Sequence, residues 1–442
     1  MTTSIASRAR LARTWIALAV ALGLLAPAIL LAHPDGSTED LKAQIRELDE
    51  KLRVLEERLD RQAQQQAEAQ RAAPLIFAGA DGFKVQSRDT NFVLRARGVL
   101  QADSRSFFNQ GPDRGNDSFL LRRARPILQG TVFGDFDFLF VPDFGGSMPQ
   151  IFDAYLNYRY EPELQVRVGK FKSPVGLEQL VEDVNLLFNE RTLVTDLVPN
   201  RDLGVQLHGQ VFDTKLTYAL GIFNGIGDAR NSSNADFEDD KDIEGRLFLQ
   251  PFAGGGARPL RGIGFGVGGS YGSVHTAAAL PATTGGTLPG YTTDGQQQFF
   301  AYNPGGGATV LADGVHWRLS PQASYYWGPL GLFGEYIVSS QAVRRTGAAP
   351  LASANLAATA WEITGSWLLT GEDASSSGVV PRRPFRLTEG SWGAWQVVAR
   401  VAGLEVDKAA FPLFADPTLS ARAAASWSVG LNWWLNRNVR VL

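Results

Sequence analysis

Between Phe119 and Lys172 the chain alternates polar and apolar residues with a period of two through four consecutive segments. Leu120, Ala124, Pro126, Leu128, Gly130 and Val132 share one parity, and Arg123, Arg125, Gln129 and Thr131 the other. Leu121 and Arg122 break the rule near the start. After Gly134-Asp135, Phe136, Phe138 and Phe140 oppose Asp137. Phe152, Ala154, Leu156, Tyr158 and Tyr160 then oppose Asp153, Asn157 and Arg159. Beyond Glu161-Pro162-Glu163, Leu164, Val166 and Val168 oppose Gln165 and Arg167. Successive side chains of a strand point to opposite faces, so each segment has one apolar and one polar face. A soluble sandwich gives this alternation too. Tight turns on one side only, strands of about ten residues and aromatics near strand ends favour a transmembrane barrel with lipid outside and a polar lumen inside.

The same rhythm starts at Phe92, with Leu94, Ala96, Gly98, Leu100 and Ala102 against Arg95, Arg97, Gln101, Asp103 and Arg105. Phe83 to Ser87 alternates briefly and reads as a pre-strand. The rhythm stops over Ser173 to Leu203, then resumes in segments near 205–222, 244–250, 263–271, 315–340, 358–370, 393–401 and 421–435. Turns at Gly134, Pro162, Phe212, Gly328 and Asn436 are tight. Connections at 109–118, 173–203, 224–240, 276–313, 341–356 and 407–420 are mostly long. Short and long connections alternate, as a barrel with two unlike rims requires, although 252–262 and 371–392 are longer than the tight-turn side favours. The reading is all-β, an antiparallel barrel over 83–442. Fourteen complete strands are legible, and Val439 to Leu442 starts a fifteenth. An even number, sixteen, is expected, with the last one to two missing.

The start of the chain differs. Arg8, Arg10 and Arg13 precede a nearly uncharged stretch from Trp15 to Leu31. This is the layout of a secretory signal over 1–32, with cleavage after Ala28 or Ala32; an uncleaved anchor is the rival. Over 38–70, Leu41, Ile45, Leu48, Leu52, Leu55 and Leu59 form an a/d heptad seam, and Thr38-Glu39-Asp40 supplies a cap and first-turn acids. Such a helix is too short to be stable alone, which favours self-association; docking on its own barrel is the alternative. Residues 71–82 read as a linker.

Composition narrows the classes. Mean hydropathy is only −0.10 and cysteine is absent. After the N-terminus no run of 18 apolar residues would serve as a spanning helix, which leaves a barrel possible. The lack of cysteine rules out disulfides and thiolate metal sites. A net charge of −3 argues against nucleic acid as a partner.

Several segments resemble the phosphate-selective porin family of the Gram-negative outer membrane. They are Leu121-Arg122-Arg123-Ala124-Arg125, Gly134-Asp135-Phe136-Asp137-Phe138, the run Val168 to Glu178, Gly221-Ile222-Phe223-Asn224-Gly225, the run Trp367 to Glu372, and the run Gly430 to Asn436. The resemblance covers roughly residues 83 to 442. It implies a 16-stranded homotrimeric porin in the outer membrane bilayer, with an N-terminal coiled coil in the periplasm. It also implies a constricting third loop, which falls on Ser173 to Leu203.

Lumen parity falls on Arg95, Arg97, Arg105, Arg123, Arg125, Arg159, Arg167, Lys215, Arg246, Arg318 and Arg400, against Asp103, Asp137, Asp153, Glu244, Glu335 and Glu362. Rings of Arg and Lys favour anions, so small anionic solutes such as phosphate are the expected cargo of a passive pore. Arg95, Arg97, Arg123 and Arg125 share one sector and could form a ladder for a passing anion. Alternatively, Asp103 or Asp153 neutralises them as wall-stiffening pairs. The constriction candidate carries Glu178, Glu182, Asp183, Glu190, Asp196 and Asp202 against Arg191 and Arg201, so strict phosphate selectivity does not follow. A barrel plugged by 173–203 and used for surface binding is the competing function. His33, His208, His275 and His316 show no catalytic spacing, so no enzyme activity, cofactor or metal site is expected. The acid-rich stretch Asp236 to Asp242 lacks the register of a calcium loop.

Overall fold

The structure, a computed structural model, describes residues 38–108, 115–146, 148–232, 239–275, 288 and 290–442. The signal expected over 1–32 and part of the acid-rich loop near 236 lie outside the described residues. The chain divides into two compact units, 1–73 and 74–442. In the first, a single helix runs Thr38–Ala72, with Glu39 and Asp40 in its first turn. Its seam residues Leu41 to Leu59 are all exposed. Among the described residues, no helix is long and apolar enough to cross a membrane.

The second unit is one sheet of seventeen strands. A hairpin of β1 (Leu75–Gly79) and β2 (Gly82–Gln86) opens it, within and just after the stretch read as a linker. The next strands are β3 (Val93–Arg105), β4 (Ser118–Val132), β5 (Phe136–Asp143), β6 (Gln150–Glu161) and β7 (Leu164–Lys172). Then come β8 (Arg201–Val211), β9 (Leu216–Phe223), β10 (Asp242–Leu249) and β11 (Ile263–His275). A separate pair, β12 (Tyr291–Thr292) and β13 (Gln298–Phe300), lies in a long connection. The sheet continues with β14 (Thr309–Trp327), β15 (Leu330–Thr346), β16 (Ala352–Leu368), β17 (Ala394–Val406), β18 (Ala423–Trp434) and β19 (Arg440–Val441). Each strand pairs antiparallel with the next, and β11 pairs directly with β14. The two ends meet through their turns, where Arg437 bonds Asp81 at 2.7 Å and Asn438 bonds the Ala80 carbonyl at 2.6 Å.

Leu94, Leu100, Leu128, Leu156, Val168, Ile222 and Val267 stand exposed on the outer face, as a lipid-facing band requires. The short-turn rim carries aromatic pairs, Phe92 with Phe133 at 5.2 Å and Trp395 stacked on Trp433 at 5.1 Å. The opposite connections are shorter than the sequence suggests in two places. Strand β14 starts at Thr309 and β15 reaches Thr346, so only 347–351 joins β15 to β16. Small residues and a register shift between Ala312 and His316 hide the alternation there. Lys215 lies in the turn before β9.

Two bulges overturn parity assignments. Gln101 pairs with Arg123 and Ala102 with Leu121, so Arg122 is the extra residue of β4. Val141 pairs with Asp153 and Pro142 with Ile151, so Phe152 is the extra residue of β6. A bulge re-aims its side chains. Arg122 and Arg123 therefore both reach the lumen, and Phe152, expected on the outer face, is buried inside beneath Arg125 and Arg201 at 4.2 and 4.4 Å. The chain has no cysteine, so single-cysteine variants read this directly. Arg122→Cys should react with a membrane-impermeant thiol reagent and Leu121→Cys should not; the reverse pattern would remove the bulge.

Candidate functional site

The loop 173–200 folds inward and is tied to the wall at its start. Glu335 of β15 accepts the backbone N–H groups of Leu177, at 2.9 Å from both oxygens, and of Glu178, at 3.1 Å. Gln322 donates to the Val175 carbonyl at 2.5 Å. A Cβ at Gly268 would sit 2.1 Å from that same carbonyl, so only glycine admits the loop there. On the β14–β17 side, Val175, Leu193, Val194 and Leu197 pack against Ile337, Val343, Leu356, Ala360 and Leu404, which makes a dry core inside the barrel.

Toward β3 and β4 the loop is acidic and the wall basic. Glu190 accepts from Arg105 at 2.6 Å and from Arg122 Nη2 at 2.9 Å, with Arg123 at 3.9 Å. Asp183 accepts from Arg125 and from Arg191 at 2.5 Å, with Arg123 at 3.6 Å. Burial opposes the charge on Asp183, but Arg191, Arg123, Arg125 and Lys172 hold it well below the usual carboxylate range. Glu178 accepts the Thr192 N–H at 2.9 Å and faces Arg400 at 3.7 Å. Its burial pushes it up to about 7. Asp196 accepts the Thr292 N–H at 2.8 Å, and Asp202 the Gly225 N–H at 2.8 Å. The loop's acids therefore face protein. Glu182, by contrast, is exposed.

The ladder residues divide accordingly. Arg123 and Arg125 are buried against the loop, and Arg125 also bonds Asp143 at 2.6 Å. Their counterions are Asp143, Asp183 and Glu190, not Asp103 or Asp153. Asp103 instead accepts from Gln101 at 2.9 Å, and Asp153 pairs with Arg201 at 3.2 Å. Arg95 stays half-buried, and Arg97 bonds Gln129 at 3.3 Å. Arg159 sits near the short-turn rim on Asp137 at 2.8 Å. Arg318 is enclosed by Asp228, Ser270 and the Ile226 carbonyl at 2.6, 3.0 and 2.8 Å. Arg400 bonds Asp294 and the Glu190 carbonyl, both at 2.9 Å.

Between the loop and β3–β10 lies a cavity of about 310 Å³. Arg97, Arg167 and Arg246 reach it, and none has a carboxylate partner among the described residues. Arg167 stacks on Tyr155 at 4.6 Å and Phe171 at 5.3 Å; Arg246 stacks on Phe248 at 4.5 Å and bonds Gln322 at 2.9 Å. Lys172 lines it too, donating to the Val181 carbonyl at 2.8 Å. The β3–β5 wall, from which Arg97 projects, also carries Val99, Ile127, Leu139 and Val141, where a polar lumen was expected. The segment 371–392 enters from the short-turn rim. Val379 is buried beside Trp434, and Gly378 approaches Asn185 of the inner loop.

Arg122 is absent from the lumen set read from the sequence because it falls off the lumen parity; the break at Leu121-Arg122 was the available signal. Asp143 and Asp228 were missed because they lie at strand ends or in loops. Asp183→Asn should leave Arg125 and Arg191 under-compensated, at a cost of about 3–5 kcal/mol for a broken buried pair. Thermal unfolding in detergent checks the loss of stability, and an unchanged midpoint would refute the pairing.

The family model described as phosphate-selective porin O and P matches residues 94–442. A search of curated proteins found no match. Among solved structures, the outer membrane channel DcaP of Acinetobacter baumannii is 9% identical. It covers 79% of this chain and 88% of its own, at a TM-score of 0.42. OmpT of Vibrio cholerae is 10% identical, covering 81% and 84%, at 0.41. An anion-selective porin from Comamonas acidovorans is 11% identical, covering 77% and 98%, at 0.38. The family match spans most of the chain, and the chain belongs to the phosphate-selective porin O and P family.

Proposed function

We propose that the protein is an outer-membrane porin passing small hydrophilic solutes with a preference for anions, phosphate among them, and that Arg97, Arg167 and Arg246 carry the preference. The observation behind this is the division of charges. The loop's acids other than Glu182 are turned to the wall, whereas three guanidiniums facing the cavity lack a carboxylate partner among the described residues. A cation already paired contributes little field to a passing ion, while an unpaired one in a narrow, low-dielectric path contributes much. Conduction through the β3–β10 side fits a lumen whose β14–β17 side is packed apolar.

Arg167→Gln combined with Arg246→Gln should lower chloride-over-potassium permeability severalfold in planar bilayers. Arg318→Gln should instead impair folding, because it leaves Asp228 and Asp242 buried without their cation. Selectivity unchanged by the first pair would sink the assignment.

The rim of short turns is assigned to the periplasm, with the helix Thr38–Ala72 on that side. Its exposed seam from Leu41 to Leu59 supports association with further copies of this chain, and a trimer is what the family resemblance implies. Deleting 38–70 should weaken the oligomer and leave barrel insertion intact. A peptide of those residues that stays monomeric and unfolded at high concentration would count against it.

A further inference from the structure

Resting on the anion-porin reading, we infer that the cavity beside β3–β5 is built for amphiphilic organic anions, with a ring or short alkyl body and one carboxylate or sulfonate head. The cavity has two unlike walls. On one side are the guanidiniums of Arg167 and Arg246. On the other are Val99, Ile127, Leu139 and Val141, four apolar side chains at lumen-facing positions of three successive strands, with Arg97 beside Val99 on β3 and paired across to Ile127. Ile127 and Val141 are buried with Phe152, and Val99 and Leu139 pack partly buried over them. The patch thus has a solid apolar floor.

A path meant only for inorganic ions has no use for such a surface, since a porin lumen is ordinarily polar and wetted. Water against Val99 and Leu139 has nothing to hydrogen-bond, so an apolar body displacing it gains roughly 25 cal/mol per Å² covered. The head group finds charge within the same cavity. Arg167 lines the cavity, stacks on Tyr155 and Phe171, and has no carboxylate partner among the described residues. A guanidinium takes a carboxylate or sulfonate by charge-assisted bonds. Glu182, exposed on the same cavity, disfavours highly charged inorganic anions by repulsion and costs a monoanion less.

The test adds sodium benzoate or sodium acetate to the full-length protein conducting potassium chloride in a planar bilayer, and reads the concentration that half-suppresses the current. Benzoate should act at about tenfold lower concentration than acetate, the factor supplied by roughly 55 Å² of ring surface leaving water. In Val99→Thr/Leu139→Asn the ratio should fall toward one, whereas Arg167→Gln should weaken both compounds alike. Equal potency in the native protein that still prefers chloride overturns this inference alone. Equal potency with no chloride preference overturns it together with the anion reading. A ratio unchanged in the double variant removes the site from this cavity. Should that variant fail to insert, the native ratio decides.

Discussion

A guanidinium taken out of water needs a carboxylate nearby, and the interior of this barrel is arranged around that need. Arg105, Arg122, Arg123 and Arg125 crowd one stretch of wall on β3 and β4, where they would repel one another if left alone. The inner loop answers with Asp183 and Glu190, each touched by several of them. The pairing draws the loop to that wall. The backbone bonds from Leu177 and Glu178 to Glu335 hold its other end across the lumen. A loop fastened on both sides can carry a constriction without sagging into the path.

This arrangement also sets the polarity of the pore. The loop's sequence is acidic, which by simple counting would favour cations. Because its acids other than Glu182 are consumed in neutralising wall arginines or accepting backbone N–H groups, the field in the remaining cavity comes mainly from the arginines they do not reach. Meanwhile Val194, Leu197 and their neighbours fill the β14–β17 side with apolar contacts. Half the lumen behaves as a protein core and half as a channel.

The barrel was legible because a half-buried strand repeats every two residues, and neither loop packing nor charge pairing disturbs that period. The helix was legible from its heptads. What escaped the sequence follows from two physical causes. A bulge shifts parity by one residue, so Phe152 reads as lipid-facing and Arg122 as a break in the alternation, although both turn inward. Charge pairing across the lumen joins residues distant in sequence, and no local pattern marks Glu190 as the partner of Arg122 or Asp228 as that of Arg318. The apolar lumen patch was hidden for a simpler reason: Val99, Ile127, Leu139 and Val141 lie at lumen positions and read as breaks in an otherwise polar face.

The central claim is that uncompensated arginines, not the loop's acids, govern what passes. The zero-current potential of the native protein under a tenfold potassium chloride gradient tests it most directly. The account predicts a potential with the sign of chloride moving faster, short of the roughly 59 mV of ideal monovalent selectivity. A potential of the opposite sign would mean that the acids dominate the path, and absence of conductance would mean that the inner loop closes it; either result contradicts the account.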